Sequence, residues 1–194
     1  MKTIINTVLA TLMFSLSAMS LAGPDHACKP LNDVNLRIID KQTAIEVDTP
    51  NGPVTLTRHM TECAKNKGWL QPLIPAPGIT PVAELEVIEA ISNPDIMLVD
   101  MRTLEWYLER TIPGAVNIPY TEIAMRLDEL GCVDGDCSNA KTILGFCNGP
   151  VCPQSPTAML AMIREGFPAE KIMYYRGGML DWDALGLTTV QGEF

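Results

Sequence analysis

The chain has 194 residues, of which 47% are hydrophobic, and it carries a formal net charge of −9 at pH 7. This apolar content is enough for the core of one ordinary domain with an extension. The acidic balance excludes nucleic acids and anionic membrane surfaces as partners held by general electrostatic attraction, so any anion site has to be local.

The N-terminus has the pattern of a secretory signal peptide. Lys2 precedes an apolar stretch over residues 4–16, and small residues follow at Ser20 and Ala22. We expect cleavage after Ala22, which removes residues 1–22. The apolar stretch is too short, and too often interrupted by polar residues, to span a membrane. The sequence therefore predicts a periplasmic or otherwise secreted protein, with no membrane insertion after cleavage.

Residues 23–78 are predicted to form a small β-rich extension that ends in a proline-rich linker. Apolar residues in short runs predict strands at residues 36–39, 44–47 and 54–57, arranged as an antiparallel meander. The sequence Pro-Asn-Gly-Pro at residues 50–53 is a strong turn signal between the second and third of these strands.

All six cysteines lie beyond the predicted cleavage site, and export would allow them to form disulfides. Proximity along the chain predicts three bridges, namely Cys132–Cys137, Cys147–Cys152 and, for the remaining pair, Cys28–Cys63. The two histidines, His26 and His59, are isolated from acidic or cysteine clusters, so no metal site is expected.

From residue 79 to residue 194, predicted helices and strands alternate. Short apolar runs predict buried strands at residues 96–99, 143–146 and 172–175. Helices are predicted to start near residues 80, 104, 121, 155 and 180, the first with Leu85, Ile88 and Ile91 as its apolar face. This alternation is typical of the α/β class, with a central parallel sheet flanked by helices.

Residues 147–155, with the sequence CNGPVCPQS, are the strongest candidate for a functional site. Cys147 directly follows a predicted strand, and Ser155-Pro156 has the N-cap and first-turn residues of a helix. The cysteine is thus expected at the carboxyl edge of the sheet, where open α/β sheets bind ligands. Free N–H groups and the helix dipole at this edge are expected to favour a thiolate or a bound anion.

Four ordered motifs resemble the rhodanese (sulfurtransferase) domain over about residues 79–190. They are Asp100-Met-Arg102, residues 111–119, Cys147 after its strand, and residues 176–182. The resemblance is to an exported bacterial type with a CNGPxC active loop. It implies that Cys147 is the catalytic residue and carries sulfane sulfur as a persulfide. The substrate-binding loop implied by the same match consists of Asn148, Gly149, Val151, Cys152, Gln154 and Ser155.

Three residues outside this loop are predicted to support it. Asp100 and Arg102 are expected to tie the strand end to neighbouring loops, and Arg176 is a candidate source of positive charge. The loop itself has no Arg or Lys between Cys147 and Ser155, which argues against a phosphatase because phosphate recognition needs such a cation.

The predicted function is an exported sulfurtransferase that moves sulfane sulfur from thiosulfate or polysulfide, through Cys147, to a thiophilic acceptor. Its partners would be the small sulfur-containing substrate and a thiol acceptor, either a small molecule or a protein; no metal or organic cofactor is expected. Two alternatives stay open. One is a thiol–disulfide redox protein that uses Cys147 and Cys152, and the other is a non-catalytic binding module on a rhodanese fold.

Overall fold

The computed structural model describes residues 30–61 and 67–193. The predicted signal peptide, residues 1–22, and the predicted Cys28–Cys63 bridge lie outside these residues. Within the two described ranges, no helix combines the length and the apolar character needed to cross a membrane.

Residues 30–61 form a three-stranded antiparallel sheet. Its strands are β1 (Pro30–Leu36), β2 (Ala44–Thr49) and β3 (Gly52–Thr61). The order is β1-β3-β2, so the sheet is not the predicted meander, because β3 pairs with both other strands. The predicted turn between β2 and β3 is present, with Gly52 at a φ of +107°, a conformation that glycine adopts without strain.

A second sheet, with five parallel strands, forms the centre of the molecule. Its strands are β4 (Thr80–Val82), β5 (Ile96–Asp100), β6 (Val116–Asn117), β7 (Thr142–Phe146) and β8 (Ile172–Tyr175). They lie in the order β4-β8-β7-β5-β6. This arrangement confirms the predicted α/β class. It also explains the unbroken apolar sequence of β7, since the middle strand of a parallel sheet is covered on both faces.

In the described part of the chain, four α-helices and three short 3₁₀ helices lie between or after these strands. The α-helices are α1 (Glu84–Ser92), α2 (Leu104–Glu109), α3 (Gln154–Arg164) and α4 (Gly178–Ala184). The 3₁₀ helices are Ile123–Met125, Leu127–Leu130 and Ala169–Lys171. On one face of the sheet Ile143 packs in a core with Met159 of α3. On the other face Leu144 packs with Val87 of α1 and Trp182 of α4.

Helix α1 differs from the prediction in its start and in its buried face. Residues 80–82, the predicted helix start, are edge strand β4, which pairs with β8. The helix buries Val87 and Ala90. The predicted apolar face is exposed by 72%, 44% and 38% at Leu85, Ile88 and Ile91. The helix has apolar residues on two faces, and periodicity alone does not tell which of them meets the sheet.

The segment predicted as a helix over residues 121–130 is a pair of 3₁₀ helices instead. The sequence places Ile123, Leu127 and Leu130 on one apolar face of that helix; in the structure Ile123 and Leu130 are fully buried and Leu127 is half-buried. Two short 3₁₀ turns place these side chains in the core without a continuous helix, and side chains three residues apart stay on one side in such turns.

The predicted bridge between Cys132 and Cys137 is confirmed. It closes a turn at Asp134 and Gly135, both with positive φ, which is the conformation that Asp-Gly favours in a two-residue hairpin. Cys147 and Cys152 are free thiols, so the bridge predicted between them is absent from this structure.

Candidate active site

The candidate site is the loop from Cys147 to Pro153, between the end of β7 and the start of α3. Helix α3 begins at Gln154 with Pro153 as its N-cap residue. Ser155 therefore lies inside the first turn. The sequence predicts Ser155 as the N-cap, and this prediction is wrong. The helix extends further back because the Thr157 N–H donates to the Pro153 carbonyl oxygen, at 3.0 Å, and proline has a helical φ.

Cys147 lies at the carboxyl end of β7, as predicted, but its thiol is buried. The residue is 1% exposed, and its Sγ donates to the carbonyl oxygen of Cys152 at 3.5 Å. Burial raises the pKa of the Cys147 thiol well above its ordinary value, and the adjacent Cys152 thiol raises it further. Burial therefore opposes the thiolate expected on Cys147 in this state, because loss of solvent around the sulfur disfavours its charged form.

Cys152 carries the negative charge more readily than Cys147. A hydrogen bond from the Cys147 thiol lowers the pKa of Cys152 to about 7, although burial acts in the opposite direction. The N–H groups of Gln154 and Asn148, together with the positive charge of Arg102, add to this lowering. The two thiols therefore titrate as one coupled pair, in which the surroundings favour ionisation of Cys152 over ionisation of Cys147.

Ser155 is directed at the Cys147 sulfur. Its hydroxyl and its backbone N–H both act to lower the pKa of Cys147, against the larger effect of burial. The side chain is fully buried, and its hydroxyl has no other hydrogen-bond partner within the described part of the chain. This donor pair would stabilise a negative sulfur on Cys147 whenever the proton moves to Cys152.

The other predicted loop residues shape the turn that brings the cysteines together. The Cys152 N–H donates to the Gly149 carbonyl oxygen at 2.9 Å, which closes a tight turn over Pro150 and Val151. The Cys152 sulfur lies 3.6 Å from Gln154 Oε1. Pro150 and Pro153 have no backbone N–H, so two residues of this loop cannot donate a backbone hydrogen bond to a bound anion.

A buried ion pair holds the end of β5 beside the loop. Arg102 Nη2 lies 2.6 Å from Asp100 Oδ2, and the two side chains are 1% and 0% exposed. Arg102 Nη1 donates to Asn148 Oδ1 at 3.4 Å, and Thr111 Oγ1 donates to Asp100 at 2.8 Å. The pair thus connects β5, the active loop and the segment after α2.

The N-terminus of α4 packs directly on the loop backbone. The Met179 N–H donates to the Cys147 carbonyl oxygen at 3.0 Å, and the Leu180 N–H donates to the Asn148 carbonyl oxygen at 2.9 Å. Gly178 has a φ of +55°, and a Cβ at this position would collide with the Cys147 carbonyl oxygen. A glycine is needed here because two stretches of backbone meet.

Residues 67–71 of the N-terminal region also reach the loop. The Gln71 N–H donates to the Pro150 carbonyl oxygen at 2.9 Å, and its own carbonyl oxygen accepts a hydrogen bond from Arg176 Nη1 at 3.2 Å. A Cβ on Gly68 would collide with the Val151 carbonyl oxygen. Arg176 thus fixes the linker against the loop. The proline-rich sequence contains no signal for this contact, because Gln71 takes part in both hydrogen bonds through its backbone N–H and carbonyl oxygen.

One further residue at the site, Tyr174, had no assigned role in the sequence. It lies beside Gly145 in the sheet, is fully buried, and has a hydroxyl without a hydrogen-bond partner in the described ranges. Burial raises the pKa of this hydroxyl, and the charges of Cys147 and Cys152 raise it further. The neighbouring Tyr175 points to the opposite face, where it donates to Glu84 at 2.9 Å.

A cavity of about 150 Å³ lies next to the loop, on the side of Asn148. Its lining includes Arg102, Trp106 and Arg110, but neither cysteine. Among the residues that the structure describes, no group of three His, Cys, Asp or Glu side chains could hold a metal ion.

The reduced protein is expected to lose a thiol proton near pH 7, because the pKa of Cys152 is lowered to about 7. The thiolate would be present above this pH and lost below it. Replacement of Cys147 by alanine removes the hydrogen-bond donor, so the midpoint should rise towards the ordinary cysteine value of about 8.5. Thiolate absorbance against pH, compared between parent and Cys147→Ala, measures this shift.

The matched control for this titration is Cys152→Ala. In this variant Cys147 should stay protonated at pH values well above the ordinary pKa range of cysteine, since burial raises the pKa of that thiol. A midpoint that stays the same in Cys147→Ala and the parent would contradict the coupled titration.

Comparison with known families gives a match for more than half of the chain. The family model of the Rhodanese-like domain matches residues 84–185. A curated relative, the HTH-type transcriptional regulator Rv0324 of Mycobacterium tuberculosis, is 32% identical over 111 residues, which is 57% of this chain and 45% of the relative. The chain therefore spans less than half of the length of this relative.

Solved structures show a more distant likeness. A rhodanese with anions from E. coli is 23% identical, with a TM-score of 0.37, and the match covers 50% of this chain and 99% of that one. A thiosulfate sulfurtransferase from Pseudomonas aeruginosa is 21% identical, with a TM-score of 0.44, and the match covers 56% of this chain and 19% of that one.

Proposed function

The chain belongs to the Rhodanese-like domain family, and on this basis we propose that it is a sulfurtransferase that carries sulfane sulfur as a persulfide on Cys147. The observation that carries the proposal is the position of this thiol. It lies at the carboxyl end of β7, beside a second thiol that can take its proton and beside the buried Ser155 donors. A nucleophile with an adjacent base is the arrangement that covalent catalysis requires.

The first step is the attack of Cys147 on the sulfane donor. Cys152, as the thiolate of the pair, takes the Cys147 proton, and the resulting Cys147 thiolate attacks the outer sulfur of thiosulfate or a polysulfide. Sulfite, or the shortened polysulfide, leaves. The Ser155 hydroxyl and N–H stabilise the negative charge on Cys147 while it forms.

The second step is the transfer of the outer sulfur. The thiolate of a thiophilic acceptor attacks the outer sulfur of the persulfide, and Cys147 returns to its thiolate form. The acceptor has to reach a nearly closed loop, because Cys147 is 1% exposed and Cys152 is 8% exposed. Small acceptors, or a protein that brings a projecting thiol, fit this geometry.

The loop supplies little positive charge for a dianionic donor. It contains no Arg or Lys from Asn148 to Gln154, and Arg102, which contacts Asn148, is already paired with Asp100. A donor with less charge, such as the singly protonated form of a polysulfide, therefore suits this loop better than thiosulfate does.

Two other functions are compatible with the same site. A thiol–disulfide redox protein is favoured by one observation, namely that Cys147 and Cys152 are both free and adjacent. A binding module is the other, and the curated relative is by name a transcriptional regulator. We do not propose DNA binding for this chain, since a net charge of −9 gives no general attraction for DNA. We propose a periplasmic or secreted location from the pattern of residues 1–22.

The direct test is to locate the transferred sulfur. The variant Cys152→Ser, which has no second thiol beside the persulfide, is exposed to polysulfide or thiosulfate without oxygen and then mapped by peptide mass. One added sulfur atom is expected on the peptide that contains Cys147. If the variant acquires no sulfur from either donor, even at alkaline pH where Cys147 ionises on its own, and the parent neither acquires sulfur nor releases sulfide, the proposed function is wrong.

A further inference from the structure

We propose that Cys152 resolves the Cys147 persulfide by attack on its inner sulfur, which releases sulfide and leaves a Cys147–Cys152 disulfide. This inference rests on the proposed function, because it needs the persulfide as its starting point. It gives the site a second activity, the reduction of sulfane sulfur to inorganic sulfide at the expense of a thiol reductant.

The geometry places the two sulfur atoms together before any sulfur is bound. The Cys147 thiol donates to the Cys152 carbonyl oxygen at 3.5 Å, and the two side chains lie close enough for each to shift the pKa of the other. The turn that ends at Cys152 is closed by its N–H on the Gly149 carbonyl oxygen at 2.9 Å. Cys152 therefore lies beside Cys147 Sγ itself, the atom that becomes the inner sulfur of the persulfide.

Burial favours this internal attack over attack by an outside thiol. Cys147 is 1% exposed and Cys152 is 8% exposed, and the backbone of α4 packs on the same loop. An outside acceptor has to open the loop, whereas Cys152 is already inside it. Proximity of this kind turns a bimolecular step into an intramolecular one.

The surroundings of Cys152 also favour its ionised form, which is the form of a cysteine that attacks. Its sulfur accepts hydrogen bonds from the N–H groups of Gln154 and Asn148, and Arg102 adds positive charge nearby. A thiol whose pKa lies near the ambient pH gives the fastest thiol–disulfide exchange, because more of it is ionised while its nucleophilicity remains high.

The reaction needs only one proton, and the pair of cysteines supplies it. Before reaction the site holds a Cys147 thiol and a Cys152 thiolate. Cys152 takes the proton while Cys147 attacks the donor, and then returns it to the outer sulfur of the persulfide. The Cys152 thiolate attacks the inner sulfur, the S–S bond of the persulfide breaks, and the outer sulfur leaves as HS⁻ with that proton.

The oxidising equivalents in this sequence come from the sulfane donor. With thiosulfate as donor the products are sulfite, HS⁻ and the oxidised protein, so two electrons pass from the two thiols to the sulfane sulfur. An external reductant of the thiol class, such as a small thiol or a protein dithiol, then reduces the Cys147–Cys152 disulfide and completes the cycle.

The test is a single turnover of the reduced full-length protein, without oxygen and without added thiol. One equivalent of polysulfide or thiosulfate is mixed with the parent and with Cys152→Ser, and released sulfide, intact mass and cysteine-linked peptides are measured. The parent should release sulfide in proportion to protein and yield a Cys147–Cys152 linked peptide. Cys152→Ser should keep one sulfur atom on Cys147 and lose sulfide release until a thiol is added.

The outcomes separate this inference from the proposed function. A parent that retains a stable extra sulfur atom, releases no sulfide and contains no linked peptide overturns the inference, while the sulfurtransferase proposal stands. A sulfur atom that moves to Cys152 without sulfide release also overturns it, because attack then falls on the outer sulfur. Absence of both sulfide from the parent and persulfide from Cys152→Ser overturns the proposed function itself.

Discussion

Replacement of Cys147 by serine is expected to lower the rate of sulfur transfer to a thiophilic acceptor by roughly three orders of magnitude or more. A serine hydroxyl is a poor nucleophile at neutral pH and cannot hold a sulfane sulfur as a persulfide. The fold should survive, since the new hydroxyl can still donate to the Cys152 carbonyl oxygen that Cys147 uses now. The rate of acceptor product formation from thiosulfate or polysulfide measures the loss.

The matched control is serine at the other thiol of the pair. Cys152→Ser removes a proton acceptor but not the atom that carries the sulfur, so transfer should be slowed and still be detectable above Cys147→Ser. Thermal unfolding of both variants checks that neither loss comes from misfolding. Equal turnover by Cys147→Ser and the parent would refute the assignment of the sulfur carrier.

The change Asp100→Asn is expected to destabilise the fold by about 3 kcal/mol, because it leaves the guanidinium of Arg102 buried without a counter-charge. Both side chains are almost fully buried, and Asp100 also accepts a hydrogen bond from Thr111 Oγ1 at 2.8 Å. The free energy of unfolding from denaturant titration measures the effect.

The same chemical change at an exposed ion pair provides the control. Asp183 receives hydrogen bonds from Arg110, one of them at 2.8 Å, but these side chains are 27% and 47% exposed. Asp183→Asn should therefore change the free energy of unfolding by no more than about 1 kcal/mol. If the two variants lose similar stability, burial of the Asp100 pair is not what makes it important.

The sequence identified the parts of the fold that depend on strongly apolar strands. Strands β5, β7 and β8 lie where unbroken apolar runs predicted them, and the central position of β7 follows from its burial on both faces. The first helix was misplaced, because Thr80-Pro81 has the residues of a helix start while edge strand β4 forms by pairing with β8. Pairing between distant segments overrides such local signals.

The candidate site was found in the sequence, but its charge distribution was not. The position of Cys147 after a buried strand and before a helix followed from local patterns. The assignment of the thiolate to Cys152 depends on how deeply each sulfur is buried and on which N–H groups face it. These quantities arise only when the turn closes, so local sequence patterns cannot predict them.

Because residues 67–71 pack on the active loop, the start of the family match is not the start of the segment that supports the site. The segment recognised by its family begins at residue 84, yet backbone atoms of Gln71 and Gly68 already touch Pro150 and Val151. A fragment trimmed to the recognised segment would keep every catalytic candidate and still lose one wall of the loop that holds them. The shortest fragment expected to keep the active loop intact is therefore longer than the segment that matches the family.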